Sequence, residues 1–353
     1  MTSRGSMAGI SVSFSTGVAA GEAFKAYAGY GTADFGLAAM TAPCLAFALI
    51  LWLKRKAPAS AASVFAVIFL AGAFTSAAGG LRVHSPEGLL DGASARLSRL
   101  IDSIPFRGIN TATVLKAFLL GDRSGLTRDT VALFRSAGAS HLLALSGLHI
   151  GILYSLLSGL LSAIGRSRGA RLVRFGATVA AGAFYTVMTG AGPSIVRAFL
   201  FILIREGMLL AGRRAPLSGI LQAALLIQLT FTPWVIHSVG FQLSYLAVAG
   251  IALLYPTLSG IYPDSPLKRV WDAAMLTLSC QVFTAPLVWY RFGSLPGLFL
   301  ICNLVAIPLT TLIIFAALGT ITAAAAGLFP TAAIFVTDSL VGALLKILSL
   351  AAT

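Results

Sequence analysis

Residues 140–164 read SHLLALSGLHIGILYSLLSGLLSAI. No Asp, Glu, Lys or Arg interrupts them. The stretch is longer than the ~20 apolar residues an α-helix needs to cross about 30 Å of hydrocarbon, so it predicts a membrane span. Its two histidines and its serines raise a second question. Either they do chemistry or they serve packing.

The composition of the whole chain agrees with the first answer. Of 353 residues, 58% are hydrophobic and 10% charged, and the mean hydropathy is +0.91. A soluble domain carries about a quarter charged residues. The pattern is that of a polytopic membrane protein. Lys and Arg number 25 against 11 Asp and Glu, a formal charge of +14. In a soluble protein this excess would indicate nucleic acid; in a membrane protein it indicates cytoplasmic loops. Cys44, Cys280 and Cys302 are far apart and form no C-x-x-C pair. Neither a disulfide framework nor a zinc site is expected.

Further spans are predicted near 37–53, 61–81, 172–190, 194–211, 217–232, 239–255, 271–290, 295–328 and 331–352. The stretch 295–328 is long for one straight span and contains Pro308, so a re-entrant piece followed by a full helix is expected there. The basic clusters Lys54-Arg55-Lys56, Arg166 to Arg174, Arg213-Arg214 and Lys268-Arg269 then all fall on one side, the cytoplasm by the positive-inside rule. Segment 82–139 falls outside. Within it, Leu90, Ala93, Leu97, Leu100, Ile101 and Ile104 recur at three- and four-residue steps, an amphipathic helix ended by Pro105 and expected to lie in the membrane interface. Two short helices follow, 110–120 and 128–137, the second with Thr127 as N-cap and Asp129 in its first turn. The fold class expected is an all-α polytopic membrane protein of nine to eleven transmembrane helices, with an amphipathic interfacial helix and re-entrant or broken helices. Its parts are residues 1–36, which offer a weak extra span; 37–81, two transmembrane helices; 82–139, outside helices; and 140–353, the transmembrane core.

Several motifs are missing from the sequence. There is no G-x-x-x-x-G-K-[ST] phosphate loop and no H-E-x-x-H zinc motif. No cofactor is expected, and energy for transport would come from a partner or from the membrane gradient. Ser146 and His149 stand at i and i+3, close enough to touch on a helix. A serine hydrolase also needs an orienting group and an oxyanion hole. Neither is offered, and "ALSGLHIG" is not the G-x-S-x-G elbow. His141 and His149 are too far apart to share a metal without a further element. Gly147, Gly151, Ser155 and Gly159 instead form a small-xxx-small stripe suited to close helix packing.

Arg197 in "TGAGPSIVRAFLFILIREG" stands near the start of a span. A charge inside the membrane costs a few kcal/mol or more and asks for a partner. Gly192 and Pro193 break the chain just before it, so a helix N-terminus and a guanidinium come together, an arrangement suited to phosphate. An Arg paired with an acidic side chain, or an interfacial Arg, accounts for the sequence equally well. Gln222, Gln228, Gln242, Ser244, Gln281 and Asn303 read as interhelical hydrogen-bond glue or as a pore lining.

These runs, in order, resemble one family. "LLGDRSGLTRDTVALFRSAGASHLLALSGLHIGIL", "TGAGPSIVRAFL", "GFQLSYLAVAGI" and "SCQVFTAPLVWYRFGSLPGLFLICNLVAIPLT" are similar to the signatures of the ComEC competence proteins, over about residues 88–325. The resemblance implies an inner-membrane, multi-pass channel, not an enzyme, that passes single-stranded DNA into the cytoplasm during natural transformation. Matched by motif, it places Asp122, Arg123, Ser140, His141, Ser146, His149, Ser194, Arg197, Gln242, Ser244 and Asn303 in the channel or DNA pathway. Gly147 and Pro308 belong with Gly151, Ser155 and Gly159 to helix packing. The partners implied are single-stranded DNA, the lipid bilayer, and separate DNA receptor, nuclease and cytoplasmic motor or strand-binding proteins; a homo-oligomer is compatible with it. Family members usually carry an OB-like domain and a metallo-β-lactamase-like domain. This chain shows neither and resembles a stand-alone competence domain. A rim of Arg96, Arg99, Lys116, Arg123, Arg128 and Arg135 would meet phosphates. Phe106, Phe118, Phe134, Tyr154, Tyr185, Phe241 and Tyr245 are candidate stacking platforms or core. A transporter or membrane scaffold for another substrate, and an intramembrane hydrolase using Ser146 and His149, stand as alternatives.

Overall fold

The computed structural model describes residues 11–23, 72–73, 76, 91–165, 167–262, 266–293 and 297–352. The expected span at 37–53, all but three residues of that at 61–81, and the Lys54-Arg55-Lys56 cluster lie outside the described residues. Among the described residues every regular element is helical. In chain order these are α1 (11–23), α2 (Asp91–Ser103), α3 (Thr111–Leu120), α4 (Arg128–Ser136), α5 (Ser140–Leu143), α6 (Gly147–Leu161), α7 (Arg168–Met188), α8 (Pro193–Leu210), α9 (Leu217–Phe231), α10 (Val239–Leu253), α11 (Tyr255–Ser259), α12 (Lys268–Phe292), α13 (Phe299–Ala325) and α14 (Thr331–Ala352).

Four of them are long and apolar enough to cross a membrane: α6 with its 3-10 extension to Ile164, α12, α13 and α14 up to Ala351. Shorter apolar helices are α3, α9 and α10. At 21 and 18 residues, α7 and α8 are also long, but Arg171 and Arg174 charge the start of the first and Arg197, Arg205 and Glu206 interrupt the second. The stretch 295–328 corrects its expectation. It holds one unbroken 27-residue helix with Pro308 inside. Pro308 lacks the N–H that an α-helix would direct at the Leu304 carbonyl, and its ring crowds that carbonyl; membrane helices tolerate this where neighbouring groups and local adjustment re-satisfy the freed carbonyl.

The chain divides into two compact units, one of residues Met1–Ser85 with Leu203–Tyr245, the other of Pro86–Ile202 with Leu246–Thr353. The first packs Phe14 and Val18 of α1 with Leu229, Phe241 and Tyr245. Tyr245 donates its hydroxyl to Gln228 Oε1 at 3.0 Å, and Ser76 donates to Glu22 Oε1 at 2.6 Å. Gln228 thus joins two helices by a hydrogen bond, the glue role of the two that the sequence leaves open.

The second unit is built on the α13–α14 hairpin. Thr320 and Thr337 share a hydrogen bond across it at 3.0 Å. Against it pack α2, α3 and α4. Seven of the ten residues of α3 are buried, and Ile101, Ile104, Phe118 and Phe134 join Ile313, Ala317, Ile334, Leu344 and Leu348 in one core. The apolar side of α2 therefore meets protein at Ile101, as does Ile104 just after its end; the sequence pattern alone does not separate such packing from a lipid-facing helix. Asp338 of α14 accepts the Arg107 amide at 2.7 Å and the Gly108 amide at 3.3 Å. The turn between α2 and α3 is pinned there. α10 and α12 cross at Gly250, where a Cβ would lie 2.2 Å from the Ser279 carbonyl oxygen.

Candidate functional site

The predicted span at 140–164 is broken. α5 ends at Leu143, Ala144 is extended, and α6 starts at Gly147. Ser146 is the cause. Its backbone is extended (φ −118°, ψ 169°), and its Oγ accepts the Leu148 amide at 3.2 Å. His149 replies from the third helical position: its Nδ1 accepts the Ser146 amide at 3.2 Å. This is a reciprocal capping box with His where Glu or Gln is usual. Ser146 Oγ also lies 3.2 Å from Nδ1. Because Nδ1 accepts, the neutral ring carries its proton on Nε2. Nε2 is buried and, among the described residues, meets no hydrogen-bond partner and no orienting carboxylate. Instead His149, 1% exposed, packs beside the Phe118 ring with centroids 5.8 Å apart.

Three neighbours enclose the break. The first is the end of α3. Gly121 caps it in the left-handed region (φ 74°), which glycine alone enters without strain. A Cβ there would also lie 2.4 Å from Leu145. Beyond it, Asp122 Oδ1 accepts both the amide and the hydroxyl of Ser124, at 2.9 and 2.6 Å. Those two bonds, hydroxyl first, hold its carboxyl below the ordinary carboxylate range. Arg123 donates from Nε to the Leu143 carbonyl at 2.9 Å and so takes up an acceptor at the end of α5. The second neighbour is α7, whose Tyr185 donates its hydroxyl to the Leu119 carbonyl at 3.0 Å.

The third is α8. Its preceding turn holds Gly190 (φ 81°) and Ala191 (φ 49°), the one non-glycine residue at positive φ among those described. Ser194 and Arg197 follow on the first turns of α8. Arg197 is 7% exposed. Its guanidinium lies over the Phe201 ring, 5.4 Å from the centroid, and its Nη2 lies 3.0 Å from where a Cβ of Gly147 would be. The positive end of α6 and the charge of Arg197 therefore share one place, a field that favours a negative group.

The pathway residues predicted from sequence thus divide. Asp122, Arg123, Ser146, Gly147, His149 and Arg197 come together around the break. Ser140 and His141 are exposed on α5. Asn303, 6% exposed, lies on α13 with a buried Oδ1 that meets no partner. Gln242 and Ser244 belong to the first unit, where Gln242 donates to the Ile236 carbonyl at 2.8 Å. Of the small-residue stripe, Gly147 makes close contact among the described residues. Among the described residues nothing lies within 4 Å of a Cβ at Gly151 or Gly159, and exposed Ser155 bonds back to the Gly151 carbonyl at 2.8 Å. The candidate stacking aromatics Phe118, Phe134, Tyr185, Phe241 and Tyr245 are buried and serve the core. Sequence reading misses the roles of Gly121, Tyr185 and Gly250. A glycine just after an apolar run, as in "FLLGD", is the readable signal for the first.

The competence protein family matches residues 118–353, which include the whole break, α8 and the α13–α14 hairpin. The chain belongs to this family. Among curated proteins, it is 26% identical over 202 residues to ComE operon protein 3 of Bacillus subtilis (strain 168), covering 56% of this chain and 24% of that protein. It is 29% identical to Competence protein ComA of Neisseria gonorrhoeae, covering 55% and 28%, and 27% identical to Uncharacterized protein YcaI of Escherichia coli (strain K12), covering 55% and 26%. The matches thus span about a quarter of the length of these relatives. No solved structure matches the chain. With its long apolar helices, this competence-family chain is a membrane protein.

Proposed function

We propose that the chain is a channel of the inner membrane that passes a single strand of DNA into the cytoplasm during natural transformation, crossing the bilayer nine to eleven times. The observation that carries this reading is Arg197. A guanidinium 93% withdrawn from solvent within an apolar helix, its Nη2 3.0 Å from where a Cβ of Gly147 would stand at the start of α6, puts positive charge beside a positive helix end, a field that favours a negatively charged passenger. A passing phosphate fits both the charge and the helix end. Family membership supplies the context, since the family is that of competence proteins and one curated relative is named a competence protein. Ser146 and His149 act here as a helix cap, not as a nucleophile and base. A DNA receptor, a nuclease and a cytoplasmic motor would be separate partners.

The test is uptake of labelled DNA by a deletion strain complemented with Arg197→Ala or Arg197→Lys. Alanine is expected to abolish uptake at unchanged membrane abundance, and lysine to restore part of it. Undiminished uptake with alanine removes Arg197 from the pathway. Normal transformation of the deletion strain itself would favour a transporter or scaffold for another substrate.

A further inference from the structure

The last turn of α12 carries Trp289, Tyr290, Arg291 and Phe292 in succession. The three rings are 60%, 80% and 47% exposed. Two guanidiniums attend them. Arg291 lies 5.8 Å from the Tyr290 centroid. Arg135, from the last turn of α4, lies 6.0 Å from the Phe292 centroid. Both distances are within the range of a cation–π contact. The contact with Arg135 also joins two elements more than 150 positions apart in the chain, so the cluster is a feature of the fold and not of one helix end. The sequence on either side of these rings and of Arg135 is poor in carboxylates. No Asp or Glu occurs between Asp129 and Glu206, nor between Asp272 and Asp338.

Open aromatic faces with adjoining cations are what a single nucleic-acid strand uses: bases stack on rings and phosphates meet guanidiniums, without demand for sequence. A duplex offers only the phosphates, because its base faces are already stacked. Trp and Tyr also gather at membrane interfaces, where they anchor a span. Anchoring, however, calls for no arginine from a second helix and no stretch free of carboxylates. We propose that the end of α12, together with Arg135, is a stacking platform that holds a single DNA strand. The ligand class rests on the channel reading; the location rests on the geometry alone.

Full-length chain in lipid nanodiscs, titrated against fluorescein-labelled oligothymidylate and followed by anisotropy, tests this. Wild type is expected to bind the single strand more tightly than a duplex of the same length. Tyr290→Ala should weaken single-strand binding on the order of tenfold, while Tyr290→Phe retains it. Arg135→Gln should lower the slope of log affinity against log salt by about 0.7. If wild type binds single strands and these variants bind equally well with the same slope, the platform is overturned and the channel reading survives. A wild type that prefers neither form overturns the platform. A wild type that binds no DNA removes both. If the alanine variant only reconstitutes less well, with unchanged affinity per inserted chain, the rings are membrane anchors and the platform is again overturned.

Discussion

The Nη2 of Arg197 lies where the side chain of residue 147 would begin: a methyl group on Gly147 would stand 3.0 Å from it and 3.4 Å from Ala198 Cβ. The guanidinium is the end of a flexible side chain and is able to retreat. Gly147→Ala should therefore cost only about 1 kcal/mol of stability, at the low end for crowding a packed site, yet move the charge. DNA uptake is expected to fall more steeply than the thermal unfolding temperature in detergent. Equal loss of both would assign Gly147 to packing alone.

Gly250 presents the opposite case. A Cβ there would lie 2.2 Å from the Ser279 carbonyl oxygen, and backbone does not step aside. Gly250→Ala should separate α10 from α12 and destabilise by about 3 kcal/mol or more. Gly151→Ala, on α6 with no described residue within 4 Å of the added Cβ, should be neutral or gain a few tenths of a kcal/mol through helix propensity. Paired thermal unfolding of the two variants checks the contrast, and similar behaviour would refute it.

Ser146→Ala removes an acceptor at the start of α6 and should cost about 1 kcal/mol, the usual value of an N-cap. Ser146→Thr and Ser146→Asp retain the acceptor and should restore most of it. Substitution of His149 by Ala frees the Ser146 amide and leaves a space beside Phe118, so it should cost more. A serine-directed covalent probe is expected to leave Ser146 unlabelled; specific labelling would return the hydrolase alternative.

Asp122 introduces a pH dependence. Its folded-state pKa is depressed by the Ser124 hydroxyl and amide. The ionised form is the one bonded, so the contribution is fully present above the unfolded value near 3.9. It is lost as pH falls through the lower folded value. Protease nicking within residues 121–127 should stay flat from neutral pH down to about 4 and rise below that. Asp122→Asn should nick at a rate independent of pH over this window.

Apolar runs made the element bounds readable. The expected 217–232 and 331–352 correspond to Leu217–Phe231 and Thr331–Ala352, because a helix that buries its backbone in an apolar setting has few other ways to satisfy its amides. Thr127 also caps as expected, accepting the Thr130 amide at 3.2 Å. The break at Ala144–Ser146 was harder to see. Its sequence is apolar on both sides, and a histidine in place of Glu or Gln disguises the capping pattern. Arg197 was legible as costly, but its neighbours were not, since Gly147 lies fifty positions away. The stripe from Gly147 to Gly159 shows the limit of spacing rules. Small residues permit a close approach, and whether a helix takes it up is decided by distant parts of the chain.

The clamp on the α2–α3 turn has a consequence for biosynthesis. Asp338 reaches the Arg107 amide across 231 positions. At a translation rate of about 5–20 residues per second, the turn waits roughly 10–45 s before its carboxylate exists. Over that interval α2 and α3 lack the hairpin that completes their core, and their buried faces need shelter from elsewhere. A chain arrested before α14 should therefore expose this segment to quality-control proteases, while one that completes α14 locks its earliest described hairpin last.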